Sequence, residues 1–223
     1  MKLQSSDITV LICVHSQTRK HDKLFYQALT SLTQQTIKGF SVLIVLDECW
    51  QNTGKIIPNF FHHFPISVLV REKKQGLAFA KNYGLQHINT TWVAFLDADD
   101  QWLPEKLEVQ IKYVNEMNNV EFFFTQAFDK FKNGVIKDNC FFLGQYETHE
   151  QIVERISSEN CLCHGSALIQ MQALRVLGNY RTDSAVKGKE DWDLWRRALD
   201  NGYHFYNIPE RLYLYSVGTS VPR

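Results

Sequence analysis

The sequence predicts an α/β domain: a mainly parallel sheet flanked by helices, followed by a smaller antiparallel region. Three observations predict it. Short apolar runs alternate with amphipathic stretches up to about residue 127, most of those runs are rich in Val, Ile and Leu, and Asn133-Gly134 then falls between two strand-like segments. The alternation is the pattern of βαβ units, and Asn-Gly between apolar runs is a hairpin signal. At 223 residues the chain is read as one domain, 1–223, with a first half of about 7–127 and a second half of about 128–223.

The expected strands of the first half are ITVLICV (8–14), FSVLIVL (40–46), ISVLV (66–70), TWVAFL (91–96) and VEFFFTQ (120–126). Between them, KLFYQALTSLTQQ and GLAFAKNYGLQHI carry apolar residues at helical spacing, with Leu77, Ala80, Gly84 and Ile88 on one stripe. Pro104 suits a first helical turn, after which Leu107, Ile111 and Val114 continue a buried face. In the second half, AFDKFKNGVIKDNCFF predicts a hairpin, residues 147–157 a helix, SALIQ a strand, and KEDWDLWRRALDNG a helix that stops at Gly202. In that last helix Trp192, Trp195 and Leu199 form the apolar stripe and Glu190, Asp193 and Arg197 the opposite face.

Composition narrows the partners. Lys plus Arg number 24 and Asp plus Glu 24, which removes the electrostatic argument for a general nucleic-acid or anionic-membrane binder. The five cysteines are odd in number and lack paired CxxC spacing; NCLCHGS offers Cys161, Cys163 and His164 but no second ligand pair for zinc. Reduced thiols of a cytosolic protein are expected. The amino terminus lacks the pattern of a signal peptide, and no stretch reaches the about 18–20 apolar residues of a membrane span. The expected location is cytoplasmic, with peripheral association at the cytoplasmic face of a membrane left open.

The stretch TWVAFLDADDQWLP ends an apolar run in Asp97, Asp99 and Asp100. Ligands of open α/β sheets bind outside the carboxyl ends of the strands, where these carboxylates are delivered. Their mutual repulsion is relieved by a cation, and such oxygen donors suit Mg²⁺ or Mn²⁺. A solvated turn capping the next helix is the competing explanation. A phosphatase of the haloacid dehalogenase type fits less well, because Gln101 stands where its motif has Thr or Val and the run follows the fourth strand rather than the first.

With its neighbours, GLAFAKNYGLQHINTTWVAFLDADDQWLPEKLEVQ closely resembles the nucleotide-sugar-binding core of family 2 inverting glycosyltransferases, a resemblance that extends over about residues 7–216. It implies the GT-A fold, which is Rossmann-like, and a nucleotide diphosphate sugar as donor. On this resemblance Thr9, Val14 and His15 of the first strand line the nucleobase pocket, Asp47 hydrogen-bonds the pyrimidine, and Arg71 and Gly76 lie near the nucleotide. Lys81 and Asn82 follow in the helix, where solvated side chains would serve equally well. Asp97 faces the ribose with Ala98 beside it, Asp99 binds the Mg²⁺ or Mn²⁺, and Asp100 is a helper. KEDWDLWRRAL resembles the family's base-bearing helix, which makes Asp191 the catalytic base with Glu190 and Trp192 as neighbours, while His164 and Ser166 border the acceptor site.

Departures from the family pattern are Ser16, the Glu48-Cys49-Trp50 run, and Val217-Gly218-Thr219 where a metal-site His is common. The chain end at Arg223 leads to the expectation that no carboxy-terminal acceptor or membrane domain follows. The reading is a metal-dependent glycosyltransferase acting on a hydroxyl of a glycan or lipid-linked acceptor, as in polysaccharide biosynthesis. The alternative is an inactive subunit that binds a nucleotide sugar or glycan. A nucleotidyltransferase is disfavoured by the lack of an early Gly-rich phosphate loop.

Overall fold

The computed structural model describes residues 2–49, 52–73, 75–138 and 148–218. Strands β1 (Ile8–Val14), β2 (Ser41–Asp47), β3 (Ile66–Arg71) and β4 (Trp92–Phe95) are mutually parallel in the order β3-β2-β1-β4. Their connections carry helices α1 (Arg19–Thr33) and α2 (Leu77–Leu85). β1 shows why the run is continuously apolar. Ile8, Val10, Ile12 and Val14 pack in one cluster with Phe25, Ala28, Leu29 and Leu32 of α1, while Leu11 joins a second cluster with Ala80 and Leu85 of α2. Side chains alternate across a strand, so a strand covered on both faces is apolar at every position.

Beyond β4 the order is β8 (Leu168–Gln170), β6 (Phe122–Lys130), β9 (Phe205–Ser216) and β5 (Gln101–Trp102), with β7 (Ile136–Asp138) paired to β6. β8 is antiparallel to both β4 and β6, so β6 runs in the direction of β4 without pairing with it. The sheet is thus mixed and mostly parallel, in keeping with the mainly parallel sheet expected. The sheet does not break near residue 127; β6 passes straight through it.

The 12-residue β9 had no counterpart among the expected strands. Pro209 and Glu210 interrupt its apolar pattern, and they fall where the β6 register shifts between Thr125↔Ile208 and Gln126↔Arg211. A bulge of this kind accommodates a proline that a regular ladder would exclude.

Helix α3 (Lys106–Glu116) joins α1 on one face; α4 (His149–Ile156), α5 (Met171–Val176) and α6 (Glu190–Asp200) join α2 on the other. In α6 the buried side chains are Glu190, Leu194, Trp195 and Ala198. The helix is therefore rotated from the expected stripe: Trp192 and Leu199 are only half-buried, and Glu190 turns inward. Asp193 and Arg197 do share the polar side, paired at 2.8 Å. The Asn133-Gly134 turn joins β6 to β7 as expected; the continuation NCFF and residue 147 lie outside the described residues. No described helix is long and apolar enough to cross a membrane.

Candidate active site

Parallel topology brings the ends of β1, β2, β3 and β4 to one edge. His15 follows β1 and its Nδ1 lies 2.8 Å from the carbonyl oxygen of Asp47 at the end of β2. Asp47 stands opposite Arg71 in the β2–β3 register, and the two side chains, 5% and 11% exposed, pair at 3.3 Å. Arg71 also donates to Gln75 and lies over the Tyr83 ring. Val14 is buried beneath this corner, and Gly76 opens α2 with φ of 111°, a conformation that favours glycine.

The departures from the family pattern are accommodated locally. The buried Ser16 donates its hydroxyl to Asp22 at 2.7 Å, and the Cys49 thiol donates to the carbonyl of Val14 at 3.0 Å. Glu48 takes a positive φ of 50°. Trp50 and Thr219 lie outside the described residues.

The acidic turn follows β4. Asp97, Ala98 and Asp99 are partly exposed, whereas Asp100 is buried with its two oxygens accepting from Tyr213 Oη at 2.7 Å and Ser216 N at 2.6 Å. Burial, and then the charges of Asp99 and Asp97, push the Asp100 carboxyl well above the usual carboxylate range. Asp100 thus anchors the turn to β9, and the repulsion it records is what a divalent cation beside Asp97 and Asp99 would relieve. Among the described residues no three His, Cys, Asp or Glu side chains are grouped to hold a metal. The protein offers carboxylate oxygens and leaves coordination positions to water or phosphate, which suits Mg²⁺ or Mn²⁺. Burial pushes the Cys161 thiol up to about 11 and the Cys163 thiol well above its ordinary value.

Beneath the turn, a buried polar layer links the acidic cluster to the second half. His164 Nδ1 lies 4.0 Å from Asp97 Oδ1 and 3.4 Å from Lys81 Nζ, and its Nε2 lies 2.7 Å from Tyr180 Oη. The Tyr180 hydroxyl is held well above the usual phenol range by burial first, then by Asp191, with Asp97 and Glu190 contributing less. Carboxylates of both the acidic turn and α6 thus bear on Tyr180. Lys81, for which a solvated helix position was one alternative, is 4% exposed.

Asp191 occupies the first turn of α6. Its Oδ1 accepts from Trp192 N at 2.8 Å and its Oδ2 from Asn160 Nδ2 at 3.1 Å, which orients the carboxylate while leaving lone pairs available. Glu190 beside it is 8% exposed.

Four of the expected binding residues already have partners within the protein. Thr9 lies at the amino end of β1, its hydroxyl engaged with Ser41 and Thr90 at 2.9 and 2.8 Å; five residues of strand, roughly 16 Å, separate it from Val14. Ser166 is fully buried, its hydroxyl donating to Cys163 and accepting from Thr125 N. Asn82 donates to the carbonyl of Tyr180 at 2.8 Å and accepts its N–H at 3.0 Å, so both ends of the amide are used. Trp192 donates its indole N–H to Ile156 O at 2.7 Å and packs half-buried against α4. Residues the sequence reading passed over are Tyr180 and Tyr213, since isolated tyrosines in loops and strands carry no local motif.

The family model described as Glycosyl transferase family 2 matches residues 9–178. The E. coli enzyme named UDP-Glc:alpha-D-GlcNAc-diphosphoundecaprenol beta-1,3-glucosyltransferase WfgD is 29% identical over 90% of this chain and 74% of its own. The structure of S. aureus TarS 1-349 in complex with UDP-GlcNAc superposes with a TM-score of 0.75 at 16% identity, covering 99% of this chain and 60% of that one. Mannosyltransferase PcManGT from Pyrobaculum calidifontis, in complex with GDP-Man and Mn²⁺, gives 0.71 at 16% identity, covering 96% and 57%. The architecture is that of the GT-A fold. The chain spans 60 to 70% of the length of the first curated relatives it matches.

Proposed function

This chain belongs to glycosyl transferase family 2, and we propose that it transfers a sugar, with inversion, from a nucleotide diphosphate donor to a hydroxyl of a glycan or lipid-linked acceptor. The observation that carries the reading is that the chain holds two separate acidic pairs, Asp97 and Asp99 in the partly exposed turn after β4 and Glu190 and Asp191 in the first turn of α6. Two separated carboxylate sites serve two jobs: one meets the donor diphosphate, the other the acceptor.

A UDP-linked donor is supported by the UDP-GlcNAc complex of TarS and by the name of WfgD, which also supports a lipid-linked acceptor. Such an acceptor would draw the protein to the cytoplasmic face of a membrane peripherally. His15, Asp47 and Arg71, which meet at the carboxyl edge, would receive the nucleobase. Asp99 would hold Mg²⁺ or Mn²⁺, a use supported by the Mn²⁺ complex of PcManGT, and the ion would stabilise charge on the leaving nucleoside diphosphate. Asp191, oriented by Trp192 N–H and Asn160, accepts the proton of the acceptor hydroxyl as that oxygen attacks the anomeric carbon.

The test is a transfer assay over UDP- and GDP-sugars and a panel of glycan and lipid-linked acceptors, with donor binding measured in parallel. Asp191→Asn is expected to bind donor as the wild type does and to lose about 10²- to 10⁴-fold in kcat. Normal transfer by that variant would remove the base assignment, and donor binding without turnover for any pair would mark a non-catalytic sugar-nucleotide-binding subunit.

A further inference from the structure

We propose that Lys81 is a positioning residue: acting through His164, it fixes the direction of a hydrogen-bond chain so that Tyr180 turns its hydroxyl proton away from the imidazole. The functional consequence rests on the glycosyl-transfer reading of this site; the geometry does not.

Lys81 is 4% exposed, with its ammonium 3.4 Å from His164 Nδ1 and 5.1 Å from the centre of the Tyr180 ring. An ammonium only donates, so Nδ1 must accept. Asp97 Oδ1, at 4.0 Å from the same nitrogen, is beyond hydrogen-bond reach, so the lysine decides. A neutral imidazole that accepts at Nδ1 carries its proton on Nε2. That nitrogen lies 2.7 Å from Tyr180 Oη and donates to it, which leaves the tyrosine proton free to point elsewhere.

The surrounding packing separates this role from simple support. Asn82 holds the backbone of Tyr180 through both ends of its amide, and His164 is packed against Phe95 and Trp195 at 4.7 and 5.9 Å between ring centres. Ring positions are thus set by other groups; Lys81 sets which way the protons run. All bonds of the chain then point from Lys81 to Tyr180, and their dipoles add. Replacing the ammonium with an apolar group makes the Nδ1–H tautomer available and lets Tyr180 donate back to Nε2, so that its proton is no longer free for another acceptor.

The tautomer is read directly by long-range ¹H–¹⁵N correlation on the full chain labelled at histidine, with His164→Gln used to identify its signals among the 8 histidines. Wild type and Lys81→Arg should show Nε2 protonated and Nδ1 bare, and Lys81→Met should gain the Nδ1–H form. In transfer assays Lys81→Met should lower kcat by about 10- to 100-fold, the size typical of lost outer-shell partners, with donor KM unchanged and Lys81→Arg recovering activity. A wild-type His164 carrying a proton on Nδ1, or an unchanged spectrum in Lys81→Met, overturns the proposal. Tyr180→Phe gives a second reading: with Lys81 in control the tautomer stays as in the wild type, and a switch to Nδ1–H overturns it. Absence of transfer in the wild type would sink the functional reading while leaving the spectrum to decide the tautomer.

Discussion

The Tyr213 hydroxyl donates to Asp100 Oδ2 at 2.7 Å, tying the last strand of the sheet to the acidic turn that follows β4. Both groups are buried, and the second oxygen of Asp100 is held by Ser216 N. Tyr213→Phe would leave a buried carboxylate short of one donor. The expected loss is about 1–3 kcal/mol of unfolding free energy, read from the urea midpoint at constant slope. A midpoint equal to that of the wild type would show that Asp100 does not depend on this bond.

Gly165 faces the same tyrosine. A Cβ built there lies 1.9 Å from Tyr213 Oη and 3.1 Å from Asp97 Oδ2. The tyrosine is buried and hydrogen-bonded, so it cannot swing aside without breaking its bond to Asp100. Gly165→Ala should destabilise the fold by about 1–3 kcal/mol of overpacking and reduce transfer as the acidic turn shifts. A variant with wild-type thermal midpoint and activity would mean the loop yields instead.

Asp99→Asn tests the cation. Because Asp99 is partly exposed and Asp100 does the anchoring, the variant should fold with an unchanged thermal midpoint but bind UDP with no dependence on Mn²⁺. Retained Mn²⁺ dependence in calorimetry would move the ligand role to Asp97.

His149 carries a pH effect far from the site. Its Nδ1 accepts from Phe205 N at 3.3 Å, and burial together with neighbouring His204 lowers its pKa below the ordinary imidazole value. The unfolded chain therefore takes up a proton that the folded protein resists, so stability rises with pH in the window below about 6.5 and falls as pH drops through it. His149→Asn should flatten the slope of stability against pH between about 7 and 5. An equal slope in the variant would assign the dependence to other groups.

Much of the fold was legible because local pattern and tertiary demand agree. The runs of β1, β2 and β4 are apolar at successive positions since both faces are covered, and Asn133-Gly134 turns the chain where its backbone preference says it should. β9 was illegible because Pro209 and Glu210 are tolerated only by a bulge against β6, a partner far away in sequence. Lys106 gives the same lesson in α3: a charged residue is read as solvated, yet it is fully buried, bonded to Gln110 at 2.7 Å and set 3.9 Å from the Trp102 ring centre.

The candidate site divides in the same way. Sequence by itself determined that carboxylates gather after the fourth strand and at the start of α6, because residue order and strand polarity decide which groups reach the carboxyl edge. Only the tertiary structure decided their roles. Asp100 became an anchor because Tyr213 and Ser216 return to it, Thr9 fell at the far end of its strand, and Asn82 and Ser166 were taken up by backbone groups. Tyr180 came to its place through contacts with His164 and Asn82, 16 and 98 residues away in sequence. A hydrogen bond is decided by where both partners end up in space, and for these partners that depends on the packing of the whole sheet.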